Sequence, residues 1–215
     1  MNSKSLNLTP RELSLLRRLN TPIKIQNFLD DIPINFEQNG ETNMSPRMVL
    51  KRNTAHCFEG ALLGALALSL HGFPPLIMDL KAQYPDVDHV IAPYKINGYW
   101  GAISKTNHAT IRFRDPVYKT IRELAMSYFH EWFMDKNGKK TLRSFSNPYD
   151  MRKYKKDWVT EEKDLWDLVD ILDEVPHYKV APNKNLKYLR IADSVERSAG
   201  KITEWGRDGK RNKLS

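Results

Sequence analysis

At 215 residues, with 40% apolar and 28% charged side chains, the chain is long enough for one domain with a real core. No apolar run free of polar interruption reaches the ~18 residues of a membrane span, so no membrane association is expected. A single cysteine excludes an intramolecular disulfide and a Cys-rich zinc site, and a net charge of +8 permits an anionic partner without specifying one.

The opening stretch, MNSKSLNLTPREL, lacks the apolar core of a secretory signal, and together with the lone cysteine this points to a cytoplasmic location. Three helix starts follow. Thr9-Pro10 with Glu12 forms a capping box, with Leu8 and Leu13 placed to form a hydrophobic staple. Thr21-Pro22 and Ser45-Pro46 repeat the signal. Residues 1–50 thus read as a helical arm. Residues 54–71 predict a helix that is apolar nearly all round and therefore buried, with Asn53 or Thr54 as its cap and Gly72 closing it. Gly60 and Gly64 leave room for another element to approach closely.

The period then changes. PLIMDLKA, HVIAPYKI, YWGAIS and ATIRFR have strand composition, and Asn97-Gly98 predicts a tight hairpin pairing Ile96 with Tyr99. A helix is predicted over 116–133, another after a Thr160 cap, and a third within 185–200. Segregated strands and helices define an α+β class: a central buried helix on an antiparallel sheet, with helical extensions at both ends. The expected divisions are an arm at 1–50, a core at 51–135, a helical extension at 136–200 and a disordered basic tail at 201–215.

Cys57 falls in the first turn of the buried helix. Unpaired N–H groups there stabilise a thiolate and can bind an oxyanion. Alone, a cysteine on an apolar helix is more often a space-filler, but its first-turn position favours chemistry. His89, at the start of a strand, is the candidate base. His56 is weaker, because neighbours on a helix do not face one another; His71 lies at the wrong helix end, and His108 sits in a loop.

AHCFEGALLGALALSLHGFPPLIMDL followed by DHVIAPYKINGYWGAIS resembles the transglutaminase-like superfamily, which has a papain-like core, over residues 50–115. The resemblance implies Cys57 as nucleophile and His89 as base. The family's third residue, usually Asp a few positions after the Trp, falls on Ser104; Asn107 and Asp115 are the alternatives for orienting His89. In the predicted hairpin register Thr106 opposes His89 and Ser104 is its diagonal neighbour, whereas a simple meander carries Asp115 about 15 Å away.

The expected function is acyl transfer, meaning amide hydrolysis or transamidation through a thioester, on a peptide or other carboxamide-containing substrate. Two other classes remain in view: a catalytically silent transglutaminase-like binding or scaffolding module, and a basic protein associated with nucleic acid. The last rests on charge alone. Its densest patches, RKYKKDW and GRDGKRNKLS, come with no zinc-finger spacing or RNA-binding aromatic signature, and a solvated face explains them. Histidine spacing and the absence of a Gly-rich phosphate loop imply neither a metal nor an organic cofactor.

Overall fold

The computed structural model describes residues 6–213. Helices α1 (Pro10–Arg18), α2 (Pro22–Asp31) and α3 (Pro46–Arg52) each begin at the Thr-Pro or Ser-Pro pair that predicts them. The Thr9, Thr21 and Ser45 hydroxyls accept from the backbone three residues on, at 3.2, 3.2 and 3.4 Å. Glu12 closes the box by accepting from the Thr9 N–H and pairs with Arg47, tying α1 to α3.

Helix α4 (Cys57–Leu70) is the centre of the molecule. Every residue from Phe58 to Ser69 is buried. The three arm helices pack around α4, and strand β2 (His89–Ile96) crosses its other side. A Cβ on Gly60 would overlap the Cβ of Lys105, and one on Gly64 would lie 3.2 Å from Ile103 Cγ2. The two glycines thus bring the helix down onto the sheet.

The sheet is antiparallel throughout. Besides β2 it contains β1 (Leu76–Ala82), β3 (Tyr99–Ile103), β4 (Arg114–Tyr118), β5 (Leu142–Ser146), β6 (Tyr149–Asp150) and β7 (His177–Lys179), in the order β4-β3-β2-β1-β5-β7, with β6 also on β1. Asn97 and Gly98 both adopt positive φ, 49° and 86°, and Ile96 pairs with Tyr99. Alternation along the strands makes two layers of core. Ile77, Val90, Ala92, Tyr94 and Ile103 pack with the α4 side. Met78, Leu80, Ile91 and Ala102 pack on the opposite face under helix α5 (Ile121–Ser127) and Trp132. The class is α+β. Among the described residues, no helix is long and apolar enough to cross a membrane.

Several expectations need correction. Helix α4 begins at Cys57, not 54, and its cap is His56; Asn53 instead ends α3 in the left-handed region (φ 53°). The helix expected over 116–133 is strand β4, then α5, then a 3₁₀ turn at Phe129–Glu131. β4 is a sheet edge, where Pro116 leaves no ladder bond unmade, and Thr120 caps α5 by accepting from Glu123 N–H. The strand expected at ATIRFR is largely loop, because Ile111 takes a left-handed φ of 53°.

Thr160 caps no helix. Residues 157–165 bind the arm instead, through Arg47 N–H to Val159 O, Ser45 Oγ to Glu161 O and Leu165 N–H to Asn43 O. Helix α6 (Trp166–Glu174) starts only after them. The segment 185–200 is split into a 3₁₀ stretch, Asn183–Tyr188, and helix α7 (Ser194–Gly200), which is capped by Asp193. The region after 135 is not purely helical, since it supplies β5, β6 and β7 to the common sheet. Nor is the tail disordered over 201–213. Ala109 N–H donates to Ile202 O and Glu204 N–H to Asn107 O, while Glu204 binds Arg112 and Arg211. Residues 1–5 and 214–215, the ends of the expected arm and tail, lie outside the described residues.

Candidate active site

Cys57 is half-buried at the first position of α4, where the N–H groups of Cys57, Phe58 and Glu59 precede the first intrahelical bond, Gly60 N–H to His56 O at 2.9 Å. Gly60 lies against Lys105 and Gly64 against Ala92 and Ile103, so α4 runs from the strand ends inward. Its N-terminus thereby reaches the start of β2 and the end of β3. His89 opens β2, is 5% exposed, and is one of the two histidines whose hydrogen bonding and charge lower the Cys57 thiol. Trp132 meets the His89 ring edge-on with centroids 6.0 Å apart, which restrains its plane.

His89 Nε2 lies 2.8 Å from Ser104 Oγ. The Ser104 hydroxyl donates its one proton to the Ile111 carbonyl at 2.7 Å, so it accepts from His89, and the ring carries its proton on Nε2. Nδ1 is then the nitrogen free for the thiol. Ser104 itself is 1% exposed, with its backbone N–H and C=O both bonded to the Gln26 side chain of α2, at 3.0 and 2.9 Å. The Ile111 carbonyl is aimed by the left-handed backbone noted above, a conformation costly for a β-branched residue. Ile111 N–H is held by Glu131 Oε2 at 2.9 Å, and the same oxygen takes Arg114.

The other candidates for orienting His89 are elsewhere. Asn107 bonds the backbone of Trp205 in both directions, N–H to Oδ1 at 2.8 Å and Nδ2 to O at 3.0 Å. Asp115 is exposed on the edge strand β4. His108 bonds Gly200 O, and His71 bonds Leu16 O.

Two functional candidates were missed in the sequence or set aside. His56 stands immediately before the helix with extended backbone (φ −97°, ψ −170°), so the rule that helical neighbours diverge does not apply to it. Its Nδ1 is 4.0 Å from Cys57 Sγ, and its Nε2 is 2.8 Å from Thr42 O. Glu59 is wholly buried and accepts from His56 N–H, Thr42 Oγ1 and Met44 N–H at 2.9, 2.8 and 3.1 Å. The His-x-x-Glu spacing, a capping-box pattern with an unusual cap, was the available signal.

Burial alone drives the Cys57 thiol upward, but hydrogen bonds and charge from His56 and His89 outweigh it and hold the thiol well below its ordinary value. Burial opposes the charged form of His56 too, yet Cys57, Glu59 and the Thr42 carbonyl raise it to about 9. Both directions describe a thiolate–imidazolium pair.

A cleft of about 280 Å³ opens beside His89, walled by Trp132, Phe133 and Met134 and carrying the carboxylates of Asp86 and Asp135. Elsewhere Asp79, Asp88 and Asp173 come close enough together to hold a cation. However, Lys81 Nζ already sits among them, and His177 Nε2 binds Asp79 at 3.0 Å.

No protein-family model matches the sequence, and no curated protein sequence matches it.

Proposed function

We propose that the chain is a Cys–His enzyme of acyl-transfer type, with Cys57 as nucleophile, His89 as acid–base and Ser104 as the residue that positions His89. The observation that carries this reading is the thiol at a helix N-terminus, 4.0 Å from the His56 ring and lowered by both His56 and His89, with His89 fixed in one tautomer by Ser104. The order of parts also supports a transglutaminase-like, papain-like core. The cysteine begins a buried helix, the histidine begins a strand, and its partner lies just past the end of the next strand.

The thiolate attacks a carboxamide or peptide carbonyl, and the oxyanion that forms meets the first-turn N–H groups of α4. Imidazolium Nδ1 of His89 gives its proton to the leaving amine, which leaves a thioester on Cys57. Water or a second amine then releases the acyl group.

Substrate is assigned to the cleft beside His89, which meets the site at that histidine; Cys57 is not among its lining residues. Asp86 and Asp135 have no ion-pair partner among the described residues and outnumber Lys136 in that lining, so a peptide carrying a positive side chain is favoured there although the chain as a whole is basic.

The test is hydroxamate formation from a panel of peptide amides, with hydroxylamine as acceptor. The wild type forms hydroxamate, whereas Cys57→Ser and His89→Ala do not. A wild-type protein that alkylates readily at Cys57 yet forms no hydroxamate across the panel defeats the reading.

A further inference from the structure

Among the described residues, no carboxylate is bonded to the His89 ring. Its Nε2–H meets only the neutral Ser104 hydroxyl. The His56 ring faces two carboxylates. Besides the Thr42 carbonyl, His56 Nε2 faces Glu59 Oε1 at 3.4 Å and Glu37 Oε1 at 3.7 Å, and its Nδ1 faces the Cys57 sulfur. With the sulfur as thiolate, both ring nitrogens face acceptors, and only the imidazolium donates to both.

Glu59 is locked in place. Asn35 Nδ2 reaches both its oxygens, at 3.3 and 3.1 Å, in addition to the Thr42, Met44 and His56 donors. The arm segment 35–44 therefore clamps a buried carboxylate behind His56. The groups that face His56 are Cys57 and Glu59 of α4, Glu37 and Thr42 of the arm, and the Phe58 ring stacked at 6.5 Å.

We infer that two histidines divide the work that one carboxylate-backed histidine usually does: His56, backed by Glu59, holds the thiolate's counter-charge throughout, while His89 moves the protons. In acylation the Cys57 thiolate forms the C–S bond and the C–N bond breaks. The Nδ1 proton of His89 goes to the departing amine, leaving His89 neutral. In deacylation His89 takes a proton from the attacking water, and the C–S bond breaks. The thiolate leaves toward the His56 imidazolium, the product acid sheds its proton to solvent, and His89 keeps the one it took. His56 donates no proton at any step. Its N–H to the Thr42 carbonyl and the two carboxylates behind it oppose proton loss. Glu59 touches no reacting atom and is a positioning residue.

This assignment rests on the acyl-transfer reading only for turnover; the thiolate itself can be tested without a substrate. Alkylation of Cys57 by iodoacetamide is followed across pH in the full chain and in His56→Asn, Glu59→Gln and His89→Asn. Asn is a good helix cap, so His56→Asn keeps the helix start. Its alkylation profile should move up by about one pH unit or more, which is a tenfold loss of rate at pH values below the wild-type midpoint. Glu59→Gln should shift the profile in the same direction by less. His89→Asn should keep most of the low-pH alkylation while hydroxamate formation is lost.

In the unmutated protein, the ring nitrogen resonances of His56 should report imidazolium through neutral pH. In Cys57→Ala the titration should move down toward the ordinary histidine range. An unshifted alkylation profile in His56→Asn, or a neutral His56 ring at pH ~7 in the wild type, overturns the division of roles. If both thiolate results hold and no peptide amide reacts, the acyl-transfer reading fails and the His56–Cys57 pair stands.

Discussion

His89 donates to Ser104, and Ser104 spends its own proton on the Ile111 carbonyl, at 2.8 and 2.7 Å. This chain explains why a hydroxyl serves where a carboxylate would be expected. A carboxylate could accept from His89 but has nothing to give the carbonyl of Ile111. Ser104→Ala should leave two buried groups unpaired, costing about 1–3 kcal/mol for each, and should loosen the ring enough to slow hydroxamate formation by up to about a hundredfold. Ser104→Asp should not exceed the wild-type rate, because its second oxygen would face the Ile111 carbonyl. Denaturant melts and initial rates check both variants. A Ser104→Asp protein that is faster and no less stable would remove the Ile111 carbonyl from the account.

Gly60 meets Lys105 Cβ, and Lys105 follows Ser104 directly. The seat of α4 on β3 is therefore linked to the position of Ser104. In an open helix Gly→Ala gains about 1 kcal/mol. Here the added methyl should force the helix off the sheet, for a net loss of roughly 1–3 kcal/mol. Gly64→Ala should cost less, because its nearest neighbours, Ile103 Cγ2 and Ala92 Cβ, lie at 3.2 and 3.5 Å. Urea unfolding midpoints rank the two. Equal stability of Gly60→Ala and wild type would show that α4 can shift at no cost.

Much of this was legible in the sequence where a local pattern had one structural solution. The Thr-Pro and Ser-Pro starts, the apolar α4 and the Asn97-Gly98 turn are such patterns, and the turn's register carries β3 back alongside β2 toward the His89 end. The failures share a cause in partners distant in sequence. Val117 and Tyr118 look helical beside the following run until β3 offers them a sheet edge. Residues 160–165 look like a helix start until the arm claims their backbone. His56 was discounted on helix geometry that applies only to residues inside the helix. The role of Glu59 as a buried anchor depends on Asn35, Thr42 and Met44, which no spacing around Cys57 predicts.

Lys105 is 1% exposed, and its ammonium donates to the carbonyls of Leu29, at 2.7 Å, and Ile32, at the C-terminal end of α2. Burial lowers it to about 8 from 10.5, against the pull of Asp30 and Glu204. Below about 8 the lysine is charged whether the chain is folded or not, so it adds no pH slope. Between about 8 and 10.5 the unfolded chain still binds the proton that the folded chain has shed, so stability from this group rises with pH. Lys105→Met cannot titrate. The stability difference between the two proteins should therefore move toward the wild type as pH rises through that window and stay flat below it. Paired denaturant melts at neutral and alkaline pH measure it. A difference that stays flat above pH 8, or moves the other way, would contradict the burial of a charged amine at this position.

Asp135 offers the cleanest test of substrate charge. It lines the cleft beside His89 and makes no ion pair among the described residues, whereas Glu131 is occupied by Arg114 and Asp88 by Lys81. Asp86 also lacks a counter-cation, but its carboxylate anchors Val87 N–H and Trp132 Nε1 at 3.0 and 3.2 Å, so replacing it would disturb the wall against His89. Asp135→Asn removes one negative charge and leaves that wall alone. For a lysine- or arginine-bearing peptide amide, kcat/KM should fall about three- to tenfold, the weight of a partly exposed charge pair, chiefly through KM. For the matched norleucine peptide it should barely change. The preference for the cationic peptide in the wild type should also shrink as salt is raised, since the cleft is open to solvent and its field is screened within about 10 Å at 0.1 M. Equal losses for the two peptides would mean that Asp135 shapes the cleft without reading charge. A wild-type preference for the neutral peptide would show that the carboxylates serve the fold and not the substrate.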